Sequence, residues 1–249
     1  MLKKLYDKSK IWFAVLWIVA YCVLMSVADS LSALIGIEKS VTLAVGIVLS
    51  AVLLLFLYRH RLFDRCGICA PRVSAGKVLY YLPLLIMLTT NLWYGVTLNY
   101  GPLETVLYIL SMLAVGLLEE IIFRGLLFGA MREENERVAV IVSSFTFGIG
   151  HIINLVNGSG AELVPNLLQV VYATAAGFMF VMIYCRTESL IACIVAHGVF
   201  NALSVFANEN SAAIDTKIIF SVILTVLTAG YGIYIAVTMK KEGAKNCEE

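Results

Sequence analysis

The chain has 249 residues, 61% of them hydrophobic and 14% charged, with a formal net charge of +1. Soluble domains carry about a quarter charged residues, so this composition excludes an ordinary water-soluble fold and points to an integral membrane protein. A net charge this small gives no bulk attraction to nucleic acid, and none is expected as a partner. Four prolines and no low-complexity run leave no sign of a disordered region, so the chain reads as one membrane domain over 1–249.

The amino terminus, MLKKLYDKSK, is basic and runs into an apolar stretch with no clear small-residue cleavage site. It therefore reads as an uncleaved first helix. A helix needs about 20 apolar residues to cross the hydrocarbon. Eight segments qualify or nearly do: 11–28, 41–58, 78–98, 105–130, 138–156, 167–185, 189–207 and 218–239. The seventh is short and carries His197 and Asn201. Polar breaks separate the segments, among them RHRLFDRC, MREENER, NGSGAELVPN and NENSAAIDTK. The expected fold is all-α, a polytopic membrane protein of about eight transmembrane helices enclosing a polar cavity.

Eight spans put both termini on one side. That side collects Lys3, Lys4, Lys8, Lys10, Arg59, Arg61, Arg65, Arg72 and Lys77, then Arg132, Arg137, Arg186, Lys240, Lys241 and Lys245. The other side keeps Lys39 and Lys217, and Arg124 lies within the membrane. The positive-inside rule then assigns both termini to the cytoplasm. Cys66 and Cys69 form a lone C-x-x-C in RCGICAPR. A metal knuckle needs a second ligand pair, which is not evident, so the pair reads as a turn in a basic loop. Cys22, Cys185 and Cys193 lie in or at the ends of apolar runs, and Cys247 lies in the tail. His60, in the basic loop, reads as solvated.

LLEEIIFRG, residues 117–125, places three charges inside the fourth apolar run. Each costs roughly 2.5–3.5 kcal/mol at the bilayer centre, or about 8 kcal/mol together if unpaired. Glu120 and Arg124 are four apart and share a helix face, in the favourable order. Glu119 points about 100° away and is left without a local partner. The next span carries FGIGH, with Phe147 and His151 on one face and Asn154 a turn beyond; the seventh carries HGVFN, with His197 and Asn201 on one face. At a rise of about 1.5 Å per residue, Glu119 lies about 17 Å from its basic-side helix end, His151 about 20 Å, His197 about 12 Å and Asn201 about 18 Å. Side chains from three helices at similar depth are expected to line one cavity.

A carboxylate, two imidazoles and an amide fit peptide hydrolysis. Glu119 can act as general base on water, His151 can orient it or carry a proton, and His197 with Asn201 can donate to the oxyanion. Glu119, His151 and His197 would also make a two-histidine, one-carboxylate zinc site, although no H-E-x-x-H helix is present. Histidine and asparagine can equally act as interhelical glue, worth about 0.6 kcal/mol each. Ser143, Ser144 and Ser204 lack a G-x-S-x-G setting and rank low as nucleophiles. A transporter with a midplane proton relay ranks last, because matched broken helices are not apparent.

The three motifs, EEIIFR (119–124), FGIGH (147–151) and HGVFN (197–201), resemble those of the CPBP family: CAAX proteases and bacteriocin-processing enzymes, also called Abi. The resemblance covers about 105–207 and implies an intramembrane endopeptidase, a hydrolase acting on a membrane-anchored peptide or protein. It implies that Glu119 and His151 activate the water, that His197 and Asn201 form the oxyanion site, and that Glu120, Arg124 and Phe147 support them. The family has been labelled metalloprotease-like, yet a glutamate mechanism needing no cofactor is the favoured reading. Short loops and modest length look like a member from a bacterial cell membrane. The other class of function implied is a non-catalytic bacteriocin-immunity or membrane scaffold protein.

Overall fold

The computed structural model describes residues 2–73, 82–155, 162–209 and 212–245, with side chains described as far as residue 238. Lys77, residues 78–81, residue 156, the first half of the break at 157–166, and Cys247 lie outside the described residues. The side chains of Lys240, Lys241 and Lys245 lie outside them too. Nine helical elements are described, and together they make an all-α polytopic membrane protein. A short α1 (Leu2–Lys8) precedes α2 (Lys10–Ile35) and α3 (Ser40–Arg59). Then come α4 (Leu82–Tyr94), α5 (Pro102–Met131), α6 (Glu136–Leu155), α7 (Leu163–Thr187), α8 (Ile191–Phe206) and α9 (Ile214–Lys245).

Six of these, α2, α3, α5, α6, α7 and α9, are long and apolar enough to cross a membrane. The remaining two apolar segments form the shorter α4 and α8. The expected span at 78–98 stops early because Gly95, at φ 89°, takes a backbone conformation that ends the helix. Residues beyond it run extended and pair with the end of α8: Thr97 N–H donates to Phe206 O at 2.9 Å, and the Asn99 amide donates to Val205 O and Ala207 O. In α7 the helix begins at Leu163, inside the expected polar break.

Contacts at the two ends sort the loops into two faces. On one face Glu133 takes Lys10 Nζ at 2.6 Å and also pairs with Arg65, while Arg72 pairs with Glu188 at 2.9 Å. This is the basic face. On the opposite face, here the far face, Lys39 pairs with Asp29 at 2.8 Å, Glu38 N–H donates to Glu104, and Val96 bridges to Ala207. The hydrogen bond from Lys10 holds the Glu133 carboxyl below its usual value, and Arg65 adds to this. A lowered folded value means the clamp contributes above the ordinary carboxylate range and is lost as pH falls through it.

Cys66 and Cys69 belong to the basic-face loop and are free thiols. Cys66 closes a tight turn at Asp64–Cys66, and burial pushes its thiol up to about 12. Burial thus disfavours the thiolate form at neutral pH. His60 sits edge-on to Phe56, with ring centroids 4.8 Å apart.

Candidate active site

The site forms where α5 and α8 cross. Gly116 lies one turn before the paired glutamates, and Gly198 directly follows His197. A Cβ on Gly116 would sit 2.6 Å from Gly198 Cα and 3.2 Å from the His197 carbonyl carbon. Only two glycines allow the helix backbones to approach this closely, as small residues do in membrane bundles. Gly116→Val is therefore expected to separate the helices and cost about 1–3 kcal/mol through overpacking. A thermal midpoint in detergent several degrees below wild type would show it.

Below the crossing, α5 departs from α-helical geometry. Glu120–Phe128 is a π-helical segment, closed by Gly129 N–H bonding to Arg124 O five residues back. Every residue in it is buried. Such segments concentrate at functional sites, and no feature of the sequence flagged this one.

The charges in LLEEIIFRG find partners from other helices. Glu120 and Arg124, both 0% exposed, pair through Oε1 and Nη1 at 3.0 Å. The Arg124 guanidinium lies 4.0 Å from the Phe147 ring centroid and 5.5 Å from that of Phe180. Stacking on ring faces suits a planar, weakly hydrated cation. His197 stands between the two glutamates: Nδ1 meets Glu120 Oε1 at 2.9 Å, and Nε2 approaches Glu119 Oε2 at 3.4 Å. Glu119, left unpartnered by the sequence pattern, accepts a 2.8 Å hydrogen bond from the Tyr21 hydroxyl of α2.

His151 is set by a second close crossing. A Cβ on Gly148 would meet Thr174 N and Val170 O at 2.8 Å, so α6 lies directly on α7. His151 Nδ1 faces Phe147 O at 3.1 Å. A carbonyl only accepts, so Nδ1 carries the hydrogen and Nε2 keeps its lone pair. The His151 carbonyl in turn accepts from Asn166 Nδ2 at 2.9 Å. Phe147 packs edge-on against both imidazoles, with centroids 5.3 Å from His151 and 5.5 Å from His197.

Glu119 and His151 line one cavity of about 90 Å³ together with Tyr21, Cys22, Ser26 and Asn154. A water needs roughly 10–15 Å³ of such volume, so several fit. His151 and His197 share a second, of about 40 Å³. Glu119, His151 and His197 thus come together. Asn201 lies one turn beyond His197 on α8, and among the described residues its side chain makes no hydrogen bond to any of the three. Among the described residues no three His, Cys, Asp or Glu side chains form a group able to hold a metal ion. The donor set has zinc-type chemistry, with His197 Nδ1 engaged by Glu120 and Nε2 facing Glu119.

Residues 101–203 match the family described as Type II CAAX prenyl endopeptidase Rce1-like. That segment contains all three motifs and both close crossings. The motif-bearing core is of the CPBP type. Over 98 residues the chain is also 36% identical to a protein of Bacillus subtilis (strain 168) named "Putative membrane peptidase YdiL". The match covers 39% of this chain and 35% of that relative, so the chain spans about a third of its length. No solved structure matches. Tyr21 falls outside the CPBP-type core, and a tyrosine in an apolar run carries no motif to announce it. Tyr21→Phe removes a hydrogen bond to a carboxylate, and turnover is expected to fall roughly 10- to 100-fold with KM little changed. Steady-state kinetics on the folded variant would check this.

Proposed function

We propose that the chain is an intramembrane endopeptidase that hydrolyses a membrane-anchored peptide or protein with a glutamate-activated water. The reading rests on one observation above the rest: Glu119 and His151 line the same water-sized cavity inside the bundle. In the proposed cycle a water held there gives a proton to Glu119 as its oxygen attacks the scissile carbonyl carbon. His151 orients that water by accepting its other hydrogen at Nε2. The carbonyl π-bond opens to an oxyanion, which takes hydrogen bonds from Nε2–H of a doubly protonated His197 ring and, after a rotation of its side chain, from the Asn201 amide. Collapse of the oxyanion breaks the C–N bond, and the proton on Glu119 passes to the leaving amine.

Glu120 and Arg124 act through His197. Glu120 holds Nδ1, which leaves Nε2 facing Glu119 and the water it activates. Arg124 neutralises Glu120 and does not titrate. No step passes through a metal. The basic face is assigned to the cytoplasm of a bacterial cell membrane, with both termini there.

The test uses the full chain in liposomes with a panel of membrane-anchored peptides, with and without a chelator. Cleavage that survives chelation and disappears in His151→Ala is the expected result. Loss on chelation with recovery on added zinc would overturn the metal-free cycle. Undiminished cleavage by His151→Ala would remove that residue from it.

A further inference from the structure

The proposed cycle leaves two larger cavities beside the histidines unused. Three cavities meet at Gln169, Tyr172 and Phe200. The smallest, of about 40 Å³, holds His151 and His197. A second, of about 360 Å³, extends past Asn91 and Asn166 to Glu162, Glu209 and Lys217. A third, of about 480 Å³, runs along Asn99, Tyr108, Ser204 and Glu209. Both larger cavities lead from the two histidines toward the far face, where residues after Gly95 pair with the end of α8.

Their lining has the chemistry of a peptide groove. Amides and hydroxyls from Asn91, Asn99, Tyr108, Gln169 and Ser204 supply donors and acceptors inside an otherwise apolar bundle. Asn166, 2% exposed, points to a ligand most directly. Its Nδ2 donates to His151 O and to Gln169 Oε1, which fixes the amide's orientation. Its Oδ1 is buried with no hydrogen-bond partner among the described residues. A buried acceptor without a donor is costly, and a backbone N–H of a docked peptide supplies one. Two carboxylates, Glu162 and Glu209, face one ammonium, Lys217, so the mouth has an acidic excess.

We propose that these joined cavities dock the polar, extended stretch of the substrate peptide next to the bond to be cut. The peptide enters from the far face and places a basic side chain near Glu209. This deepens the peptidase reading and rests on it. A lipid chain is a poorer occupant, because it would leave the buried Asn166 Oδ1 without a donor.

The experiment is thiol labelling of the full chain in liposomes, with Gln169→Cys at the neck and Glu209→Cys at the mouth. A membrane-impermeant thiol reagent is added to one side at a time, and labelled sites are located by mass spectrometry. Native Cys69, on the basic face, marks orientation. Both introduced cysteines are expected to react from the side opposite Cys69. A non-cleavable lysine-containing peptide should slow labelling at Gln169→Cys about tenfold more than its glutamate counterpart. Reaction from the Cys69 side, no slowing by either peptide, or slowing by an apolar chain alone would overturn the proposal. Labelling needs no turnover, so docking without cleavage would fault the peptidase reading, and cleavage without protection would fault the docking site. If Gln169→Cys does not fold, Glu209→Cys, on an exposed residue, carries the readouts of side and protection.

Discussion

Glu119→Gln is expected to lower peptide cleavage by about 10²–10⁴-fold while leaving the protein folded. The amide is nearly isosteric and can still accept from the Tyr21 hydroxyl. It cannot take a proton from water, so only the base is lost. Glu119 is also the less enclosed of the two glutamates, lying on the cavity wall. Its neutralisation leaves the Glu120–Arg124 pair intact. The measurement is single-turnover cleavage beside a thermal melt. A rate within a few-fold of wild type at an unchanged melt would remove Glu119 from the role of base.

Arg124→Ala is expected to act on the fold, with a loss of about 3–5 kcal/mol, because it leaves the Glu120 carboxylate buried without its cation. The same change empties the space between Phe147 and Phe180, whose rings the guanidinium faces. Arg124→Lys should recover part of the loss at most, since an ammonium lacks the planar group that stacks on Phe147. Glu120→Met/Arg124→Met should be far less damaging than Arg124→Ala, as replacing a whole buried pair by apolar volume is often tolerated. Unfolding in detergent, measured across this series, checks the order. An Arg124→Ala protein as stable as wild type would contradict the burial of the pair.

The polar residues that the structure brings together in the candidate site were legible because membrane burial makes charge conspicuous. Glu119, Glu120, Arg124, His151 and His197 stood out as polar groups in apolar runs, and the pairing of Glu120 with Arg124 followed from helical spacing alone. Helix count was legible for the same reason, although Gly95 and the short α8 reduce the spans of full length to six. What could not be read was anything set by contact between distant segments. Tyr21 looks like any aromatic in a first helix until α2 is placed against α5. The orientation of His197 toward both glutamates needs the crossing at Gly116 and Gly198. Asn201 shows the opposite limit: its helical face was predictable, but spacing gave no hold on whether its amide reaches the cavity.

The π segment gives the helix a surplus residue, and so a phase error held in place by burial. Upstream of Glu120 and downstream of Phe128 the two halves of α5 keep different rotational registers. Deleting a single residue within 121–123 would remove that surplus and let a regular helix re-form with both halves still packed, bringing Glu120 and Arg124 from four residues apart to three. The motif's spacing thus measures a helix with a built-in slip, and its three intervening residues act as a counted spacer in which number matters beyond hydrophobicity.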